Sequence, residues 1–282
     1  MYNFLAQHPD IYLPPKKEIH FFATDLYSPY YCRDLEKYLE FFAGATNETR
    51  IGEASVWYLY SKLASAEIRH FSPDASIIIM LRNPVDMIYS LHGHRFYINS
   101  EDIEDFGEAL NAEADRKLAQ RLPANPYPVA GLFYREVGRY YEQVKRYLDN
   151  FGSEQVKIIF YDDFQIDPAA AVRELFAFLG VDPSLPIETS VINASKKLRS
   201  RALATFLDPP PPLVSKLGRA LTSPERRQNL FKTFRKFNTE HAPRKPLPAT
   251  LRRELQLDFA TDVDRLSALV GRDLSHWNRA GE

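Results

Sequence analysis

Three places in this chain carry residue types whose spacing could do chemistry. The first is SIIIMLRNPVDMIYSLHGHR, Ser76 to Arg95. Its apolar run, Ile77 to Leu81, suits a strand buried on both faces. Arg82 stands where that strand emerges. Asn83 is a good helix N-cap, Pro84 suits the first helical position, and Asp86 favours the positive end of the helix dipole. Strand, tight turn and helix together make an anion site, because first-turn N–H groups lack internal partners and the dipole adds positive potential. Arg82 contributes a forked, permanently charged donor. Ser90 adds a hydroxyl about two turns into the helix. The competing reading is that Arg82 merely pairs with a carboxylate and Ser90 caps nothing.

The second place is Lys16-Lys17-Glu18-Ile19-His20-Phe21-Phe22. Alternation puts Glu18, His20 and Phe22 on one face of a short strand, with Ile19 and Phe21 opposite. Read alone, the charged run is a solvated loop and the histidine a hydrogen-bonded core residue. The third place is the basic stretch Ile192 to Arg201, with Lys197, Arg199 and Arg201. By itself it is equally well a solvent-facing basic turn.

Arg-Asn-Pro with a serine eight residues after the arginine resembles the 3′-phosphate-binding segment of sulfotransferases. Those enzymes use 3′-phosphoadenosine 5′-phosphosulfate, PAPS. QHPDIYLPPKKEIHFF (Gln7 to Phe22) resembles the stretch carrying the catalytic glutamate in heparan sulfate glucosaminyl sulfotransferases and their bacterial relatives. IGEASVWYLYS (Ile51 to Ser61) looks like the family's second buried strand. VKIIFYDDF with FAFLGV (Val156 to Val181) looks like its late strand and helix. The resemblance covers nearly the whole chain.

It implies an α/β, P-loop-like sulfotransferase fold with a mainly parallel central sheet flanked by helices. It implies transfer of a sulfuryl group from PAPS to a hydroxyl or amine of a small-molecule or glycan acceptor. Glu18 would take the acceptor's proton, as a general base must, with His20 assisting. Arg82 and Ser90 would hold the 3′-phosphate of the nucleotide. Lys197, Arg199 or Arg201 would close over it, and the family's Lys-Gly-Arg is not reproduced here to say which. A lysine that relatives carry near Ala54 is also missing. No metal is implied.

One further departure lies at the N-terminus. Tyr2 to Gln7 reads as the last turns of a helix, with Pro9 just beyond. In the family a strand and a Gly-rich phosphosulfate loop precede that helix, and no such loop stands in this sequence. The expectation is therefore an N-terminally incomplete chain that folds poorly and turns over no PAPS until the missing segment is restored. The alternatives are a remnant that only binds 3′-phosphoadenosine 5′-phosphate, or another α/β nucleotide enzyme such as a small-molecule kinase. G-x-x-x-x-G-K-[ST] appears nowhere in support of a kinase.

The elements that must position these residues follow from length and pattern. At 282 residues, 45% hydrophobic and 13% aromatic, the chain suits a single domain, 1–282, with a helical C-terminal part from about 202. A net charge of −1 gives no overall field to attract nucleic acid. The single cysteine, Cys32, permits no internal disulfide and favours a reducing compartment, which predicts a cytoplasmic protein, and no apolar run of about 18 residues stands in the sequence to make a transmembrane segment. Strands are expected at Ile11–Leu13, Ile51–Leu59, Ile77–Leu81 and Val156–Tyr161. Helices are expected through Leu35, Tyr38, Leu39 and Phe42, over Glu101–Leu122 and Leu132–Phe151, and along the stripes Val172–Leu179 and Leu255–Val270. Trp277 anchors the tail.

Overall fold

The computed structural model describes residues 1–188, 196–198, 239–241 and 245–279. The chain divides into two units, the first made of 1–88, 127–190 and 249–282, the second of 89–126 and 191–248. In chain order the first unit opens with α1 (Tyr2–Leu5), β1 (Ile11–Tyr12), α2 (Leu35–Glu40), β2 (Arg50–Ile51), α3 (Trp57–Tyr60) and α4 (Ala64–Phe71). Asp34 caps α2 by accepting from the Lys37 N–H at 3.0 Å. β3 (Ile77–Leu81) leads into α5 (Pro84–Tyr97), whose residues up to Ile88 belong to this unit. The second unit contributes α6 (Phe106–Asn111) and α7 (Glu113–Lys117).

The first unit resumes with α8 (Tyr134–Val137), α9 (Tyr140–Phe151), β4 (Val156–Phe160), α10 (Tyr161–Ile166) and α11 (Pro168–Leu179). In the second unit β5 (Lys196–Leu198) pairs antiparallel with β6 (Thr239–His241). α12 (Ala249–Val270) returns to the first unit. β1 pairs with β2 and β3 with β4, both in parallel. In the second pair Ile77 stands opposite Val156 and Leu81 opposite Phe160. Parallel strands flanked by helices give the expected α/β class.

The core follows the apolar stripes. On α11, Val172, Leu175, Phe176 and Leu179 are buried with Phe4, Leu5, Ile11 and Ile159. Asp167 caps the helix through the Ala170 N–H at 2.8 Å, and Gly180 ends it at φ 68°, a conformation open to glycine. On α12, Leu255, Phe259, Val263 and Leu266 face inward. Trp277 is buried and donates Nε1–H to Asp162 at 2.7 Å.

Several elements differ from the pattern reading. The expected strand Ile51–Leu59 stops after Ile51, and Trp57–Tyr60 turns helical instead. Leu35 and Leu39 of α2 remain about half exposed, leaving Tyr38 to face the core. The expected helix Leu132–Phe151 breaks at Gly138. A Cβ there would lie 2.7 Å from the Phe259 ring, so glycine lets α12 approach the joint between α8 and α9. The helix expected over Glu101–Leu122 is divided into α6 and α7. In it Glu101 and Arg116, both fully buried, form a paired fork at 2.6 and 2.8 Å. Among the described residues no helix is long and apolar enough to cross a membrane.

Candidate active site

Glu18 to Phe22 is not a strand. Glu18 and His20 have φ of 59° and 54°, in the left-handed region, whereas a strand needs φ near −120°. Their backbone groups therefore find partners other than a neighbouring strand. The Glu18 N–H donates to the Ala54 carbonyl at 2.9 Å. The His20 N–H donates to Ser55 Oγ at 3.0 Å and the Phe22 N–H to Tyr58 OH at 3.3 Å. On the carbonyl side the Arg33 guanidinium donates to His20, to Phe21 at 2.9 Å, to Ala23 at 2.5 Å and to Leu26 at 2.8 Å. Ile19, fully buried between the two kinked residues, packs with Phe22, Tyr38 and Ala64.

This conformation turns the side chains of Glu18 and His20 toward each other. His20 Nε2 lies 2.9 Å from Glu18 Oε2. His20 is buried, packs at 4.3 Å on the Tyr31 ring, and its Nδ1 has no partner among the described residues. An N–H buried without an acceptor is costly, so hydrogen-bond accounting puts the ring proton on Nε2, donated to Glu18. The Val56 N–H donates to the same carboxylate oxygen at 3.1 Å. Both donors meet Oε2, so Oε1 has no partner among the described residues. The Glu18 side chain is 42% exposed, enough for a reactant to reach that oxygen. It borders a largely apolar cavity of about 710 Å³, with Lys17, Phe22, Glu53, Ile78 and Met80 among its walls.

Residues that no periodicity singles out support this pair. Glu53 Oε1 accepts from Tyr38 OH at 3.0 Å and Tyr58 OH at 2.7 Å, and its Oε2 from Ser55 Oγ at 2.7 Å. Burial, reinforced by the Glu53 charge, pushes both tyrosine hydroxyls above the usual tyrosine range. A carboxylate inside an expected buried strand was the one available signal.

At the end of β3, Asn83 caps α5 as its residue type predicts. Its Oδ1 accepts from the Val85 N–H at 3.0 Å while its Nδ2 donates to the Trp277 carbonyl at 3.2 Å. The Arg82 guanidinium lies 4.9 Å from the centre of the Tyr161 ring. Among the described residues it has no acidic partner, so the carboxylate pairing that the sequence left open is not what holds it. Ser90 lies on α5, among the residues of the second unit. Lys197 lies in β5, and Arg199 and Arg201 fall outside the described residues. Among the described residues no cluster of histidine, cysteine and acidic side chains is arranged to hold a metal ion.

A family model described as the sulfotransferase domain matches residues 17–206. The chain is 31% identical over 196 residues to the bifunctional heparan sulfate N-deacetylase/N-sulfotransferase 4 of Mus musculus, a match covering 65% of this chain and 21% of that protein. It is 28% identical over 192 residues to the corresponding enzyme 2 of Homo sapiens, covering 64% and 20%. The chain thus spans about a fifth of the length of these curated relatives. Among solved structures, a sulfotransferase from Alicyclobacillus acidocaldarius is 34% identical, with a TM-score of 0.72 over 98% of this chain and 92% of that one.

Proposed function

The chain belongs to the sulfotransferase domain family, and from that premise we propose that it transfers a sulfuryl group from PAPS to an acceptor hydroxyl or amine. A glycan is the acceptor class we favour, because the curated relatives bear the name of heparan sulfate enzymes. The kinase alternative has no support from these matches.

The observation that carries the reading is the carboxylate of Glu18. One oxygen is held by His20 Nε2 and the Val56 N–H, and the other is left for a substrate. In the proposed step the acceptor oxygen forms a bond to sulfur as its proton passes to Glu18 Oε1. The bond from sulfur to the 5′-phosphate oxygen breaks, and the nucleotide leaves with that electron pair. His20 keeps the carboxylate in place by its Nε2–H, and the fixed geometry supplies the orientation that an in-line transfer needs.

Arg82 suits the 3′-phosphate. A guanidinium without an acidic partner among the described residues, packed on Tyr161 beside the capped start of α5, can grip phosphate oxygens in a fork. Ser90 and the basic residues Lys197, Arg199 and Arg201 remain in the proposal on sequence grounds alone. A cytoplasmic setting is proposed from the single, unpaired Cys32.

The test, on a chain carrying a phosphosulfate loop ahead of α1, is turnover of PAPS with a glucosamine-containing oligosaccharide, beside binding of the desulfated nucleotide. Glu18→Gln should cut turnover by about 10²–10⁴-fold, the usual contribution of a general base, and leave nucleotide affinity unchanged. Tight nucleotide binding by the wild type with no transfer to any acceptor would replace this reading with the binding-only alternative.

A further inference from the structure

The three residues Glu53, Ser55 and Tyr58 connect to the candidate base without touching it. Glu53 receives three hydroxyl protons, from Tyr38, Tyr58 and Ser55. Three hydroxyl donors on two oxygens suit a carboxylate, which only accepts. Because Ser55 gives its proton to Glu53, its oxygen is left as an acceptor for the His20 N–H. Because Tyr58 does the same, its oxygen accepts the Phe22 N–H. One negative charge thus sets the polarity of two hydroxyls, and these hold alternate amides of the segment that carries Glu18 and His20.

The arrangement does what a paired strand would otherwise do. N–H groups at 18, 20 and 22 would point to one neighbouring strand if the segment were extended. Here they go to a carbonyl and two side-chain oxygens from residues 54–58. Hydroxyl acceptors can follow a backbone that carries two left-handed residues, which a regular ladder cannot. The same short stretch supplies the Val56 N–H to Glu18 Oε2. Residues 53–58 therefore fix both the main chain of the pair and the rotation of the carboxylate.

We propose that Glu53 is a positioning residue for the Glu18–His20 pair. Acting through Ser55 and Tyr58, it holds the backbone of His20 and Phe22 and so decides where Glu18 Oε1 points. The inference rests on the reading of Glu18 as the base, and it predicts behaviour that can be measured apart from that reading. With Glu53→Gln the amide NH₂ donates where the carboxylate accepted, and the Ser55 hydroxyl loses the partner for its proton. Ser55→Ala removes only the acceptor of the His20 N–H.

The experiment compares the wild type with Glu53→Gln, Ser55→Ala and Glu18→Gln. Three quantities are read: hydrogen exchange at the amides of residues 18–22, the kinetic constants with PAPS, and the unfolding midpoint. In Glu53→Gln, whose amide nitrogen faces Ser55, the His20 amide should exchange about tenfold faster or more, and in Ser55→Ala it should do the same, with the Phe22 amide unchanged in both. In both, kcat should fall about 10- to 100-fold, the scale of a displaced reacting group, with KM for PAPS within about twofold of the wild type. Glu18→Gln should lose turnover with those amides unchanged. Wild-type exchange and kcat in Glu53→Gln would overturn the proposal, as would equal losses in kcat, KM and unfolding midpoint, which mark a residue that only stabilises the fold. Should the wild type not turn over PAPS, the proposed function fails, and the exchange rates still decide whether Glu53 holds this segment.

Discussion

Glu18 and His20, two residues apart, both occupy the left-handed region of backbone space, and the kink brings Nε2 of one within 2.9 Å of Oε2 of the other. Neither is a glycine, and each such residue costs about 1–2 kcal/mol against an ordinary conformation. Ile19 between them is fully buried, and Arg33 and Ser55 grip the chain on either side. The surrounding contacts hold the strain in place at the position where the chemistry is proposed.

That strain can be relieved by substitution. Glu18→Asn puts at this position a side chain that tolerates the left-handed region. It should raise the unfolding midpoint by about 1–3 °C and abolish turnover, because the shorter amide is no base. Differential scanning calorimetry beside a PAPS assay checks both halves. A variant that is less stable than the wild type would mean that the contact to His20 contributes more than the strain costs.

Arg82→Ala should weaken binding of 3′-phosphoadenosine 5′-phosphate by about 2–3 kcal/mol, the scale of a charge-assisted pair. Adenosine 5′-phosphate, without the 3′-phosphate, should bind almost equally well to both proteins. Ser90→Ala should cost less, in keeping with a neutral hydroxyl. Titration calorimetry with the two nucleotides decides the matter: equal losses on both would make Arg82 a structural residue.

In the second unit, Glu101→Gln leaves the Arg116 guanidinium buried without its counter-charge. Breaking such a pair on one side destabilises by about 3–5 kcal/mol. Urea unfolding should show this as an early transition. The surface pair Lys145–Asp149 gives the contrast, and Asp149→Ala should leave the unfolding curve in place.

Burial holds the half-buried Asp262 carboxyl above its ordinary range, partly offset by the bond it accepts from the Tyr141 N–H. The folded chain therefore keeps this proton to a higher pH than the unfolded chain. Stability from the site is complete below the unfolded pKa and is lost as pH rises through the folded one. Asp262→Asn removes the titration. Unfolding measured from strongly acidic to neutral pH should show the wild type losing ground to the variant as pH rises. A gap that moves the other way would contradict the assignment.

What could be read from the sequence divides along physical lines. β3 and its Asn83 cap were legible because an unbroken apolar run and an N-cap followed by proline are local signals, and α11 because its stripe is regular. The kink at Glu18–Phe22 is not legible, because alternation looks the same whether φ is negative or positive, and neither Glu18 nor His20 is a type that announces a kink. Glu101 and Arg116 were read as parts of a polar helix, since a buried ion pair and two solvated charges have the same composition. The hub at Glu53 joins Ser55 and Tyr58, near it in sequence, to the hydroxyl of Tyr38 on α2, and no alternation or stripe marks that last partner.

The contact between Asp262 and Tyr141 also bears on the order of events during synthesis. Arg139, at the start of α9, offers no side-chain cap, and the helix end is completed by a carboxylate 121 residues further along. A nascent chain that has emerged as far as β4 already holds β3, β4 and all of α9, but not the carboxylate that meets the first turn of α9. Only when α12 has left the ribosome and docked does that turn close. The loop that this late contact closes is long, so it is a slow step by topology rather than by chemistry, and α9 serves as a template waiting for its last partner.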